Sequence, residues 1–366
     1  VLDLGQDRQI SALQWSAETP AGTAIAIRSR TGNELARSVI YRNNNGDAVT
    51  EKLYSRLIPL FRGAIDTVVS AGADWSSWSS PYAASGARFV SPSPRRYVEL
   101  DVRLLSDLPS SAASLDWVSL QVEDAIAPGA VSEIHPVEVA PGTEHDFRLF
   151  LRAPRTKGFD AVDVESSTSM RFIGARRNGA FAAASAAPLA RGFQVRFADR
   201  VHSEELVELS FAASIYVPGT RFDAYIVDSE SGDGFRQLVD AGDANGDVVS
   251  STDVVRLPIA SGILANLTAS PAVITPNGDG INDRLRVTTD IINLVEGRPI
   301  RLRVFDMAGR IVWSTAESRQ AGPFVIEWDG HGPDGALLPP GNYVWRIEAE
   351  GDARTQSDLG IVAIIY

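Results

Sequence analysis

Two stretches of the chain space side-chain oxygens as a hard cation would require. The first is ITPNGDGINDRLRV, residues 274–287, in which Asn277, Asp279 and Asp283 fall at positions 3, 5 and 9 of a D-x-D-x-D-G-x-x-D loop. Gly280 stands at position 6. Alternating oxygens can converge on calcium there, and the glycine permits the sharp turn. Position 1 is Thr275, a poorer ligand, and no Glu occupies position 12. The same residues also suit a turn closed by Asx hydrogen bonds, and both readings stand.

The second stretch is GDANGDVVSSTD, residues 242–253, with Asp243, Asn245 and Asp247 at positions 1, 3 and 5. It looks like a dockerin or EF-hand half-loop. Val248 takes the place of the required glycine, and Asp253 falls at 11 rather than 12. Calcium is the candidate cofactor, and a polar surface loop is the alternative.

Aromatic residues raise a third possibility. DWSSWSSPY, residues 74–82, brings Trp75, Trp78 and Tyr82 close in sequence. They could form a platform on which sugar rings stack, or pack within the fold. The literal W-S-x-W-S is known from cytokine receptors and thrombospondin repeats. Paired cysteines and a flanking arginine ladder, which would support either, are not legible beside it. The Arg pairs at 95–96 and 176–177 could hold anionic sugars, or could solvate strand ends.

Catalytic patterns are missing from the sequence. His135, His145, His202 and His331 are dispersed, with no H-x-x-x-H spacing. There is no G-x-S-x-G elbow, no Walker A loop and no G-x-G-x-x-G after a strand. A non-enzyme is expected.

Composition narrows the class. The 366 residues carry a net charge of −12 and a pI near 4.9. That argues against nucleic acid, whose binding requires clustered cations. No cysteine is present, which removes disulfides and thiolate chemistry. Among 34 basic residues only Lys52 and Lys157 are lysine, from GC-rich codon usage or from selection for guanidinium geometry. No run approaches the ~20 apolar residues of a membrane span. The chain opens at Val1 without a signal-peptide pattern, so a mature or trimmed product is expected.

The elements that must carry these residues read as strands. Val98, Leu100, Val102 and Leu104 alternate with Glu99, Asp101 and Arg103; Phe147, Leu149 and Leu151 repeat the pattern, as do Phe193, Val195 and Phe197. Period two means one buried and one wet face. Turn clusters separate the runs: NNNGD (43–47), SPSP (91–94), SGDG (231–234), PNGDG (276–280), DGHGPDG (329–335) and PPG (339–341). One short helix is predicted over 50–58, ended by Pro59. The Ala-rich 180–190 reads as a loop or edge strand. In the last hundred residues, Ala308-Gly309 should turn a hairpin closed by Asp306. Trp328 should anchor the packing, with Tyr343, Trp345 and Ile347 entering the core. The expected fold class is all-β, tandem β-sandwich domains at 1–130, 131–264 and 265–366.

Two of these units resemble known families. After TPNGDGINDRLRV come a strand with a D-x-x-G-R-x-V hairpin, then W-D-G, D-G, P-G-x-Y and a last strand. This order resembles the Ig-like domains of the flagellar hook-cap protein (FlgD). It looks still more like the gliding-motility-associated C-terminal domains of type IX-secreted bacterial proteins. The resemblance implies a seven-strand sandwich serving as a sorting signal on an exported protein.

In residues 1–126 a D-L-G strand, an I-x-x-x-x-W strand, T-x-I-x-I-R-S-R-T-G and R-Y-V-x-L follow in the order of discoidin-like jelly rolls. Such domains bind glycans, lipids or proteins through loops at one end. There D-L-G lies well inside the fold, whereas here it begins at Asp3. A larger precursor, or a strand supplied by another chain, is the expectation.

The reading that follows is a non-enzymatic exported bacterial surface or extracellular protein, structural or adhesive. It would associate with itself as a filament, with other surface proteins or with glycans. The alternative is a polysaccharide-binding accessory region of a larger secreted hydrolase.

Overall fold

The computed structural model describes residues 1–231, 236–258, 262–351 and 355–366. Residues 232–234 of the SGDG cluster lie outside that set. The chain is all-β and builds tandem sandwiches around three separate apolar interiors.

The first interior is small. Strand Leu2–Glu18 pairs with Arg95–Ser106, Ser114–Asp124 and the short Ala87–Arg88, and Thr23–Gly32 closes the far side of Arg95–Ser106. Ile10, Leu13, Ile27, Tyr82, Phe89 and Val98 form the buried cluster. The alternation read over 98–104 frays outward: Val98 is buried, Leu100 and Val102 are half-covered, and Leu104 is 50% exposed.

An arm projects from this unit. Leu35–Asn43, Ala48–Val49 and Arg62–Ala71 form a three-stranded sheet. The predicted helix is there, Glu51–Arg56, with Thr50 accepting from Leu53 N–H at 3.3 Å as N-cap. Not one residue of its strands or helix is buried.

The middle unit is a two-layer sandwich of larger sheets. In one layer Glu144–Arg152 lies between Val131–His135 and Leu206–Ser214; in the other Phe159–Ser166 lies between Gly192–Val201 and Thr220–Val227. Phe147, Leu149 and Leu151 point into the core as their period predicts, and each is fully buried. Phe147, Phe211 and Phe222 meet at centroid distances of 5.4–5.8 Å, contacts that add to their area burial. Phe150, on the opposite face by alternation, is buried too, because that face is covered. The Ala-rich stretch forms Ala180–Phe181 and the edge strand Ala184–Leu189.

The third interior packs a three-stranded sheet (Leu264–Ser270, Leu285–Ile291, Gly322–Trp328) on a five-stranded one. The second sheet runs Val273–Ile274, Thr355–Ile364, Gly341–Glu350, Arg298–Phe305, Ile311–Arg319. Among the described residues this is one strand more than the seven expected, the addition being the two-residue Val273–Ile274. Asp306 accepts from Ala308 N–H and Arg310 N–H at 2.9 Å, closing the hairpin as read. Trp328 is 1% exposed, sits edge-on to Tyr343 at 5.7 Å and donates from its indole to His331 O at 3.0 Å.

Trp328 therefore fills volume that a smaller residue would leave empty. Trp328→Ala is expected to destabilise this unit by about 3–5 kcal/mol, with Trp328→Phe costing less. A denaturant titration following the unfolding of this unit checks it.

Candidate functional site

The PNGDGIND loop closes on itself. Asp283 Oδ1 accepts from Asn277 N–H at 3.1 Å and Gly278 N–H at 2.9 Å, and Oδ2 accepts from Gly280 N–H at 2.7 Å. Asn277 Oδ1 takes Asp279 N–H at 2.9 Å, and Asp279 Oδ1 takes Ile281 N–H at 2.7 Å. Thr275 Oγ1 donates to Ile281 O at 3.1 Å. Gly278 and Gly280 adopt φ of 82° and 85°, where a side chain would strain the backbone. Donation from Gly278, then Gly280, holds the Asp283 carboxyl below its ordinary 3.8. The geometry is that of a turn knotted by carboxylates, with the side-chain oxygens of Asn277, Asp279 and Asp283 accepting from amides of the loop.

The loop at 242–253 differs. Asn245 Oδ1 accepts from Asp247 N–H at 3.3 Å, while Asp243 and Asp247 are exposed. The amides of Ala244 and Asn245 donate, at 3.1 and 2.6 Å, to Oε1 of Glu133 on the distant strand Val131–His135. Burial raises the Glu133 carboxyl above its ordinary value, and the charge of Asp243 adds to the rise against the two amide bonds. No sequence pattern marks Glu133 as a partner of this loop. Among the described residues, no three His, Asp or Glu side chains converge as a metal centre.

The three aromatic candidates are divided. Tyr82 is 8% exposed and its hydroxyl meets Ser29 Oγ at 2.7 Å inside the first unit. Trp75 and Trp78 are half-buried and interleave with arginine: Arg30 lies 5.4 Å from the Trp75 ring and 4.6 Å from Trp78, and Arg28 lies 5.6 Å from Trp78. An arginine ladder is thus present, contrary to the reading of the flanking sequence. It comes from strand Thr23–Gly32, where Arg28 and Arg30 share a face by period two. Asp101 and Glu99 pair with those guanidiniums from the neighbouring strand. Trp75 also lies close on Gly32, where an added Cβ would meet its ring at 2.3 Å. The legible signal was the R-S-R spacing in TAIAIRSRTG.

Arg95, Arg96 and Arg177 are committed internally, and Arg176 is exposed. Arg95 makes two 2.7 Å bonds to Asp240, across the first and middle units. Arg96 grips Asp3 with both nitrogens, which holds that carboxyl at about 2. Arg177 pairs with Glu205 through two 2.8 Å bonds. Of the histidines, His145 bonds Thr143, His331 bonds the backbone of Asp329, and His135 Nδ1 is buried without a partner. No two of the four act on one centre.

The fold and its closed C-terminal turn define a multidomain β-sandwich protein. Residues 268–364 match the family model of the CHU_C type IX secretion signal domain. That match makes the C-terminal unit a type IX-like domain, and the protein one exported to the cell surface or beyond. No curated protein matches the chain. Solved structures that match the chain include dimeric latent PorU from Porphyromonas gingivalis, at 10% identity and TM-score 0.25, covering 98% of this chain and 34% of that one. The major pilin SpaD from Corynebacterium diphtheriae also matches, at 10% identity and TM-score 0.25, covering 98% and 92%. The Yersinia pseudotuberculosis adhesin InvE matches at 10% identity and TM-score 0.24, covering 64% and 58%. The chain spans about a third of the PorU chain. Among the described residues no helix is long and apolar enough to cross a membrane.

Because the folded state lowers the Asp283 pKa, the stability it confers is complete above the ordinary 3.8 and is lost as pH falls through the lower folded value. Asp283→Ala should lower the melting temperature of the C-terminal unit at neutral pH and flatten its acid dependence at pH values below the ordinary 3.8. Thermal scans across that range check both.

Proposed function

We propose that this is a non-enzymatic structural or adhesive protein of the bacterial surface, delivered there by its C-terminal unit as a type IX sorting signal. The observation that carries the reading is the signal-domain match over residues 268–364. Its front edge is the self-closed PNGDGIND turn. Calcium would serve as a stabilising ion, not a reagent. The first unit, whose sequence resembles discoidin-like jelly rolls, would be the ligand-facing end.

The arm of that unit supports an adhesive or self-assembling role. Val39, Ile65 and Val69 share one face of its sheet by register. They are 48%, 54% and 49% exposed. Apolar side chains gathered on a projecting sheet favour contact with a second copy or another surface protein. The guanidiniums between Trp75 and Trp78 reduce the free ring area available to sugars, which weighs the reading toward protein contacts.

Export is tested by fusing residues 265–366 to a reporter in a type IX-competent host, and by deleting 268–364 from the full chain. The fusion should reach the surface or medium and the deletion should be retained inside. Retention of the fusion, or export of the deleted chain, overturns the sorting role. Association is tested by sedimentation of the full chain beside Ile65→Asp. Loss of higher-order species in the variant supports the arm as a contact, whereas a monomer in both, with glycan binding that Trp78→Ala abolishes, supports the polysaccharide-binding alternative.

A further inference from the structure

A cleft of about 840 Å³ opens between the first and middle units. Arg88 and Val90 line it from the first unit, and Arg221, Tyr225, Arg236 and Leu238 from the middle one. No described residue lining it is acidic, in a chain whose net charge is −12. Two other clefts mix both signs, with Asp124 and Lys157 in one and Asp223 and Arg191 in the other. The three guanidiniums gather around Tyr225. Arg236 lies 4.1 Å from the centre of its ring. Burial raises the Tyr225 phenol above its ordinary value, the charge of Asp223 adds to the rise, and Arg236 and Arg88 act against it. Arg221 responds to the same phenol. Arg88 therefore acts across the cleft, from one unit onto the other.

These cations have donors to spare, because a guanidinium carries five N–H groups. Arg221 meets Asp223 and Asp253 through Nε, and Arg236 meets Glu165 and Asp163 through Nη1. Those carboxylates fix the two side chains. Among the described residues the remaining nitrogens of both make no hydrogen bond. Arg88 is exposed, and among the described residues its guanidinium has no hydrogen bond or ion pair, nor has the Tyr225 hydroxyl a hydrogen bond. We propose that this cleft binds an acidic sugar, its carboxylate or sulfate held by Arg88, Arg221 and Arg236 and its ring lying against Val90 and Leu238. The planar fork of arginine matches the paired oxygens of such an acid. The volume falls within the ~300–1,000 Å³ of small-molecule sites, which suits a sugar or two and excludes a folded partner. The choice of a sugar as carrier rests on export to the cell surface or beyond. The preference for an anion rests on the lining alone.

The test titrates the full chain by calorimetry with four probes: a uronic-acid disaccharide, a sulfated disaccharide, a neutral disaccharide of the same size and a capped tetraglutamate peptide. The expectation is saturable binding of at least one acidic disaccharide, weakening as salt is raised. The neutral disaccharide and the peptide should bind at least about tenfold more weakly, since each loses the charged hydrogen bonds or the fit of the ring. Arg88→Ala removes an exposed side chain without stranding a carboxylate, so the chain should fold and lose affinity by at least about tenfold. Arg155→Ala, in a different cleft, should bind as the unaltered chain does. Absence of saturable binding to both acidic disaccharides overturns the site. So does equal binding of the neutral one, preference for the peptide, full affinity in Arg88→Ala or loss of binding in Arg155→Ala. Because export is read separately, a negative result here leaves the sorting role standing.

Discussion

A cysteine-free protein made almost wholly of strands and turns must close its loops by hydrogen bonds, and every backbone N–H outside a strand ladder is a donor available for that. Carboxylates and Asx side chains supply the acceptors here. Asp74 takes the amides of Asn33 and Glu34, Asp306 those of Ala308 and Arg310, and Asp160 that of Ser229. Asp283 takes three at once. The acidic composition therefore does local work: many of these charges are the internal bonds of turns that disulfides would brace in other secreted folds.

The arginines answer those acids. A guanidinium is planar, permanently charged and able to grip a carboxylate with two parallel bonds. Arg95 uses this across a unit boundary, and Arg96 and Arg177 within their units. Arg28 and Arg30 add stacking on indole, a contact an ammonium makes with less planar overlap. Exposed pairs contribute only about 0–1 kcal/mol each, so the apolar interiors hold the units together and the arginines fix how loops and units are oriented. The near-absence of lysine is consistent with that use, whatever codon bias adds.

Local pattern carried much of the architecture. The alternations at Phe147–Leu151 and Phe193–Phe197 located true core faces, because side-chain direction in a strand depends only on parity. The Asp306 hairpin and the Trp328 anchor were legible for the same reason: each is satisfied within a few residues of itself. What parity missed was set by partners distant in the chain. Leu104 continues a perfect alternation yet lies exposed, because nothing among the described residues covers its end of the sheet. Phe150 sits on the nominally wet face yet is buried. Arg28 and Arg30 reach Trp75 and Trp78 only because the segment after Gly72 folds back along Thr23–Gly32, with Ser76 and Ser79 amides donating to Thr31 and Ser29.

The same distinction separates the two acidic loops, which look alike as strings of Asp, Asn and Gly. Spacing fixes which oxygens can converge, but their availability depends on where the nearby amides donate. In the C-terminal loop the amides lie within the loop and donate to its own carboxylate. In the middle loop the amides of Ala244 and Asn245 go outward to Glu133, and the loop's own carboxylates stay at the surface. A single residue on a neighbouring strand thus separates the two loops: Glu133 takes two amides of the middle loop, whereas Asp283 takes three from its own. Such a residue leaves no trace in the loop's sequence. It is found by following where the amides of the loop donate.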